Sequence, residues 1–143
     1  MKYLYLLLIP VLVFIGCSSD NDDVSINNDN ISGHWVSISS HGYTLYKATG
    51  EKKIREESED NSLSLKLYKD GTCSEGETNG YYKLLGNELD VFLSYYDEFL
   101  KKDINWTDNY VIESFSSNKM ILSIKKYSVD WDEHCTVYTM KRK

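Results

Sequence analysis

Histidine, cysteine and carboxylate side chains are the groups in this sequence that could perform catalysis or hold a metal. The three histidines, His34, His41 and His134, are scattered and form no pair at the spacing that puts two ligands on one helical face. In a strand, Asp132 and His134 would share a face, but two ligands seldom suffice to hold a metal. The sequence also lacks a nucleophile elbow and a phosphate-binding glycine loop. We therefore expect no enzymatic activity, no metal and no cofactor.

Cys73 and Cys135 have two interpretations. Outside the cytoplasm they could form a disulfide, which would close a long loop and contribute about 4 kcal/mol to stability. They could equally be two separate, small, buried apolar residues. Both interpretations stay open, because a disulfide depends on a Cα separation that spacing along the chain does not supply.

Cys17 follows the most hydrophobic segment of the chain. Tyr3–Ile15 is apolar, begins after Lys2 and is too short for a transmembrane helix, which needs about 20 residues. The stretch that ends this segment, Phe14 to Cys17, resembles a bacterial lipobox. The resemblance implies that residues 1–16 are removed and that Cys17 is acylated, which makes the membrane a partner. The alternative is an ordinary secretory signal with a chance cysteine.

Residues 17–30 are rich in Asn, Asp and Ser and have little to bury, so we expect a flexible linker. The acidic patch of Asp20, Asp22 and Asp23 is at least a solvated spacer. It also resembles the export signal of Bacteroidetes lipoproteins, which implies an outer-membrane location with the domain exposed at the cell surface. Without export the domain would lie on the periplasmic face. The folded domain is expected to span residues 31–143.

The charge balance narrows the classes of partner. The chain carries 16 basic and 22 acidic residues, a formal net charge of −6. Nucleic-acid binding rests on neutralising phosphates with basic residues, so a nucleic-acid partner is not expected. The length that follows the linker is enough for one domain with one core.

Alternating apolar residues predict a chain of short strands. Leu63, Leu65 and Leu67 stand two apart, and Asp70-Gly71 after them is a strong hairpin signal. The same alternation recurs at regular spacing as far as Cys135–Met140. This pattern predicts an antiparallel sandwich or an up-and-down barrel. The charged stretch Glu51–Asp60 has almost nothing to bury, which favours a loop or an exposed hairpin arm.

An ordered set of motifs resembles the small lipocalin-like lipoproteins of Bacteroidetes. The motifs are Gly33-x-Trp35, Leu65-x-Leu67-x-x-Asp70-Gly71-Thr72, Gly80-x-Tyr82-x-Leu84-x-Gly86-Asn87-x-Leu89, and Tyr110-x-Ile112-x-x-Phe115-x-x-x-Lys119-Met120-x-Leu122. The resemblance implies an all-β, antiparallel, lipocalin-like barrel of about 8–10 strands. It implies that Trp35 plugs a closed end beside a basic residue, for which Arg142 is a candidate. Tyr95–Asn105 is longer than a simple turn and is expected to form a lid or a helical turn.

The inward-facing residues of such a barrel define a candidate ligand pocket. They are Trp35, Leu67, Tyr82, Leu84, Tyr110, Ile112, Leu122 and Tyr138. The first hypothesis is a non-enzymatic binding module that holds a small apolar ligand in the barrel mouth. The alternative is a protein-interaction or accessory subunit of a cell-envelope complex, whose barrel is filled by its own side chains.

Overall fold

The computed structural model describes residues 25–143 and contains one short helix and nine strands in that range. The helix, α1, is Asn28–Ile31. The strands in chain order are β1 Gly33–Leu45, β2 Lys52–Glu59, β3 Ser64–Leu67, β4 Thr72–Glu75, β5 Thr78–Leu85, β6 Glu88–Asp97, β7 Lys102–Phe115, β8 Lys119–Tyr127 and β9 Glu133–Arg142. In the same range, no helix is both long and apolar enough to cross a membrane.

Antiparallel pairing between successive strands closes the sheet into a barrel. From β3 to β9 each strand pairs with the next one in the chain, and β9 returns to pair with β1 from Trp35–Arg142 to Leu45–Glu133. The other edge of β1 is divided, because its first residues pair with β3 and its last residues pair with β2. The predicted lipocalin-like barrel is therefore confirmed, with eight strands in the barrel and β2 as an additional strand.

The structure shows the conformation of two segments for which the sequence left more than one possibility. β2 is exposed along its whole length and forms the arm of a hairpin with β1. Tyr95–Asn105 forms neither a lid nor a helical turn. It is the tip of a long ribbon in which β6 and β7 stay paired up to Asp97–Lys102, because backbone hydrogen bonds continue beyond the barrel wall.

Alternate residues of the strands fill the barrel interior with a single hydrophobic core. Its fully buried side chains include Trp35, Leu65, Leu89, Met120 and Met140. These residues come from five different strands, so closure of the barrel and packing of the core depend on each other. Such burial is the main favourable contribution to folding.

One end of the barrel, which we call the closed end, is sealed by Trp35. Its indole nitrogen donates a 2.8 Å hydrogen bond to the carbonyl oxygen of Ile31. The guanidinium of Arg142 lies 4.5 Å from the centre of the indole ring, a cation–π arrangement, and donates to the carbonyl oxygen of Asn30. Arg142, one candidate for the basic partner of Trp35, therefore occupies that position.

Helix α1 attaches the start of the described chain to the closed end. Asn27 caps it through hydrogen bonds from the backbone amides of Asp29 and Asn30. Asp29 also forms an ion pair with Lys69, in the turn after β3. The residues just before Ile31 thus form a capped helical turn that contacts the closed end of the barrel. The opposite end, which we call the open end, points away from this attachment.

Cys73 and Cys135 are two free, buried thiols, and the described range contains no disulfide between them. Cys73 lies in the core on β4, whereas Cys135 lies on β9. Strands β3 and β1 separate them in the barrel wall. In this structure the two cysteines are therefore separate, buried side chains on different strands.

Replacing Trp35 with alanine should lower the free energy of unfolding by about 3–5 kcal/mol, because it empties the closed end and removes the surface on which Arg142 lies. Urea titration followed by circular dichroism measures this change. The matched control is Trp131→Ala, at an exposed residue, which should change stability by no more than about 0.5 kcal/mol. Equal losses in the two variants would contradict the role of Trp35 as the plug.

Candidate functional site

The open end is formed where two neighbouring strands of the barrel part. The pairing of β7 with β8 begins at Tyr110–Ile124, and nearer the open end the two strands pair only with their other neighbours. Nearer the open end, β7 pairs with β6 and β8 pairs with β9. A gap between two ribbons results, and it gives access to the barrel interior from the open end.

A cavity of about 180 Å³ lies inside the open end, and we call it the mouth cavity. Its lining residues are Ser62, Leu63, Glu75, Tyr110, Ile124, Lys126, His134, Thr136 and Tyr138. Leu63 and Ile124 also belong to the hydrophobic core, so the apolar part of the lining adjoins the core. The other lining residues carry hydroxyl, carboxylate, amine or imidazole groups. The cavity is smaller than the roughly 300 Å³ at which pockets for drug-sized ligands begin.

The eight residues predicted to line a pocket all lie in or against one core, but only two of them line the mouth cavity. Tyr110 and Tyr138 do so. Side chains deeper in the barrel pack on one another instead, and these are Trp35, Leu67, Tyr82, Leu84, Ile112 and Leu122. The interior below the mouth cavity is thus filled by the protein's own side chains.

The pocket predicted from the sequence does not include three charged residues of this region. The alternation of buried and exposed residues along the strands could have indicated them. Glu75 is two residues beyond the buried Cys73, Asp108 is two before the buried Tyr110, and Lys126 is two beyond Ile124. Each shares the inward-facing parity of its strand. Charged residues near strand ends are ordinarily solvent-exposed, so their inward-facing parity was not interpreted as burial.

Asp108 and Lys126 form an ion pair across the gap between β7 and β8. The Lys126 ammonium nitrogen lies 2.7 Å from a carboxylate oxygen of Asp108. Asp108 is only 5% exposed, whereas the Lys126 side chain is 62% exposed. The ion pair therefore neutralises a buried carboxylate with a lysine that reaches in from solvent, at a place where the backbones no longer pair.

Glu75 has a buried carboxylate oxygen that is left without a hydrogen bond. Its Oε2 atom is inaccessible to solvent and accepts no hydrogen bond from any residue in 25–143. Burial raises the pKa of this carboxyl above its ordinary value, and the nearby charge of Asp108 raises it further, against the opposing effect of Lys126. An unpaired buried acceptor costs free energy, so this atom is a feature that a ligand could satisfy.

The two tyrosines of the mouth cavity keep their phenol protons at neutral pH. Burial is the largest cause of the raised pKa of both Tyr110 and Tyr138. For Tyr110 the charges of Glu75 and Asp108 add to this effect. The cavity thus contains protonated hydroxyls beside a carboxylate, a combination suited to orienting a small polar group.

Several of the groups considered for catalysis or metal binding are buried or hydrogen-bonded within the protein. Burial, with a smaller effect of Glu75, raises the pKa of the Cys73 thiol to about 11, so it is protonated and unreactive at neutral pH. Asp132 accepts a hydrogen bond from the backbone of Lys47, and His134 bonds to the Thr44 hydroxyl. Across residues 25–143, no group of three or more such side chains is arranged to hold a metal.

Large apolar side chains project from the loops of the open end. Phe99, in the turn between β6 and β7, is 94% exposed, and Val129, between β8 and β9, is 96% exposed. Trp131 in the second loop is also exposed. By contrast, Trp106 on β7 packs against the core.

No family model matches this chain, and a search of curated proteins finds no match. Among solved structures, the isotype 1 transferrin binding protein B (TbpB) from serogroup B Neisseria meningitidis resembles it at 10% sequence identity and a TM-score of 0.40. The match covers 83% of this chain and 27% of that protein, so this chain spans about a quarter of its length. What the site binds is therefore inferred from its own residues.

The substitution Glu75→Gln should remove a pH-dependent loss of folding stability. Because the folded state raises the pKa of Glu75 above 4.5, the native protein loses stability as pH rises from that value through the raised pKa. The neutral amide does not ionise, so the variant should gain up to about 1 kcal/mol over wild type at pH 8 and less at pH 5. Urea titrations at both pH values measure the difference. Glu77→Gln, at an exposed neighbour, is the control and should show no such trend.

Proposed function

We propose that this protein is a membrane-anchored, non-enzymatic binding module that holds a small ligand at the open end of its barrel. The observation that carries the proposal is the mouth cavity, which combines an apolar floor, tyrosine hydroxyls and a buried carboxylate oxygen with no hydrogen bond from the described residues. Natural interiors seldom leave such an acceptor without a partner, and an ordered water, an ion or a ligand can supply one.

The filled core restricts where a ligand can bind. A ligand deep in the barrel would have to displace fully buried side chains such as Leu122, at a cost of several kcal/mol. The mouth cavity requires no such displacement. A small ligand with an apolar part against Leu63 and Ile124 and a polar group near Glu75 fits its lining better than a wholly apolar ligand does.

The proposed anchor would orient the barrel relative to the membrane. Cys17 and residues 1–16 lie outside the described residues, and acylation of Cys17 is part of the proposal. From Cys17 to Ser25 the chain can span at most about 30 Å, and it then reaches the barrel at the closed end through α1. The closed end would therefore lie toward the membrane and the open end away from it. The acidic patch after Cys17 supports export to the cell surface.

A second candidate function is contact with a partner protein of the cell envelope. The exposed side chains of Phe99, Val129 and Trp131 favour it, because they sit on two loops at the open end. Apolar loop tips directed away from an anchored end are suitable contact points for a protein. In this case the mouth cavity would need no ligand.

Native mass spectrometry of the mature protein from its own host tests the small-ligand function. We expect a co-purifying small molecule in wild type and in Asn61→Trp, but not in Ser62→Trp. Ser62 lines the mouth cavity, so an indole at this exposed position would obstruct it with little effect on stability. Asn61 is the adjacent exposed residue that does not line the cavity.

The two candidate functions give different results in this experiment. A molecule retained in Ser62→Trp would place the ligand elsewhere. If wild-type protein carried no small molecule, the partner-protein function would be favoured over the small-ligand function.

Cys17→Ser tests the anchor. The variant cannot be acylated at this residue, and one acyl chain already contributes about 0.8 kcal/mol for each buried methylene. We expect wild type in the membrane fraction and the variant in the soluble fraction. Protease treatment of intact cells should remove the wild-type domain if it is exposed at the surface. Protection of the domain would instead place it on the periplasmic face.

A further inference from the structure

The charged groups around the mouth cavity have partners, with one exception. Lys126 is paired with Asp108. The guanidinium of Arg55 donates a 3.0 Å hydrogen bond to the Thr136 hydroxyl. Asp60 accepts a 2.8 Å hydrogen bond from the backbone amide of Ser62. Glu75 alone among these groups has a buried oxygen to which no residue of the described chain donates.

We propose that Glu75 binds the positively charged nitrogen of a small primary ammonium compound in the mouth cavity. This inference rests on the proposed small-ligand function and specifies its ligand class. Glu75 and Lys126 line the cavity. Asp60, Asp108 and Arg55 each bond to a residue that lines it, namely Ser62, Lys126 and Thr136 respectively. The charges of these three carboxylates and two cations sum to one negative charge, which a single cation would neutralise.

The chemistry of Glu75 favours a cation over a neutral or anionic group. Glu75 lines the cavity, so a turn of its side chain would present the unpaired oxygen to an ammonium N–H. The charge of the ammonium group would then offset the cost of a buried carboxylate. An anion would face both Glu75 and Asp108. Lys126 does not supply this contact, because its ammonium nitrogen lies 2.7 Å from Asp108 and Glu75 Oε2 remains unpaired.

The walls of the mouth cavity suit the rest of such a ligand. Tyr110 and Tyr138 offer ring faces and hydroxyls, and an aromatic face attracts a nearby cation. Leu63 and Ile124 offer apolar surface for a short alkyl chain. The volume of about 180 Å³ limits the ligand to a few carbon atoms beside the ammonium group.

Calorimetric titration of the full mature chain in non-ionic detergent tests this inference, with butylammonium, 1-butanol and butyrate as probes. Butylammonium should bind wild type with one-to-one stoichiometry, and the neutral and anionic probes should bind at least about 10-fold more weakly. Glu75→Gln should weaken butylammonium binding by at least about 10-fold. Glu77→Gln removes the same charge from an exposed residue nearby and should bind like wild type.

Each contrary outcome has a distinct meaning. Equal butylammonium affinity in Glu75→Gln and wild type would overturn the inference. If 1-butanol bound as tightly as butylammonium, Glu75 would not select a cation, yet a small-ligand site would remain. If no probe bound, the ammonium assignment would be rejected, while mass spectrometry of the host-derived protein would still decide whether any small molecule is held.

Discussion

The pairing of β1 with β9 is the constraint on which the rest of the structure depends. It runs from Trp35–Arg142 at the closed end to Leu45–Glu133 at the open end and joins the first and last strands of the barrel. The same register places the guanidinium of Arg142 over the indole ring of Trp35. Closure removes the free edges of the barrel sheet, and it is what forces inward-facing residues from all eight strands into one core.

The wall is continuous near the closed end and interrupted near the open end. Beyond Tyr110–Ile124, β7 and β8 no longer pair, and the Asp108–Lys126 ion pair spans the gap in place of backbone hydrogen bonds. Polar and charged side chains can occupy the interior there because solvent is close. The interior is consequently filled by apolar side chains toward the closed end and is lined by polar side chains toward the open end. This difference places the candidate ligand site at the open end.

The orientation of the domain relative to its proposed anchor bears on both candidate functions. An attachment at the closed end would leave the mouth cavity and the exposed tips of Phe99 and Val129 facing away from the membrane. The unpaired oxygen of Glu75 favours a ligand inside the cavity, whereas the apolar tips favour a partner above it. Both surfaces belong to the open end, so the same orientation would serve either function.

The sequence by itself determined most of the barrel strands, because side chains alternate between two faces and the alternation of Leu63, Leu65 and Leu67 indicates which face is buried. It did not predict that β6 and β7 stay paired through Tyr95–Asn105. The family resemblance implied that Trp35 plugs one end, and Arg142 was one candidate for its basic partner. Only the tertiary structure decided that the interior is filled, that Cys73 and Cys135 lie on separate strands, and that Glu75 lies near the charges of Asp108 and Lys126. These outcomes depend on strand stagger and on where neighbouring strands part, which bring together residues that alternation along each strand treats separately.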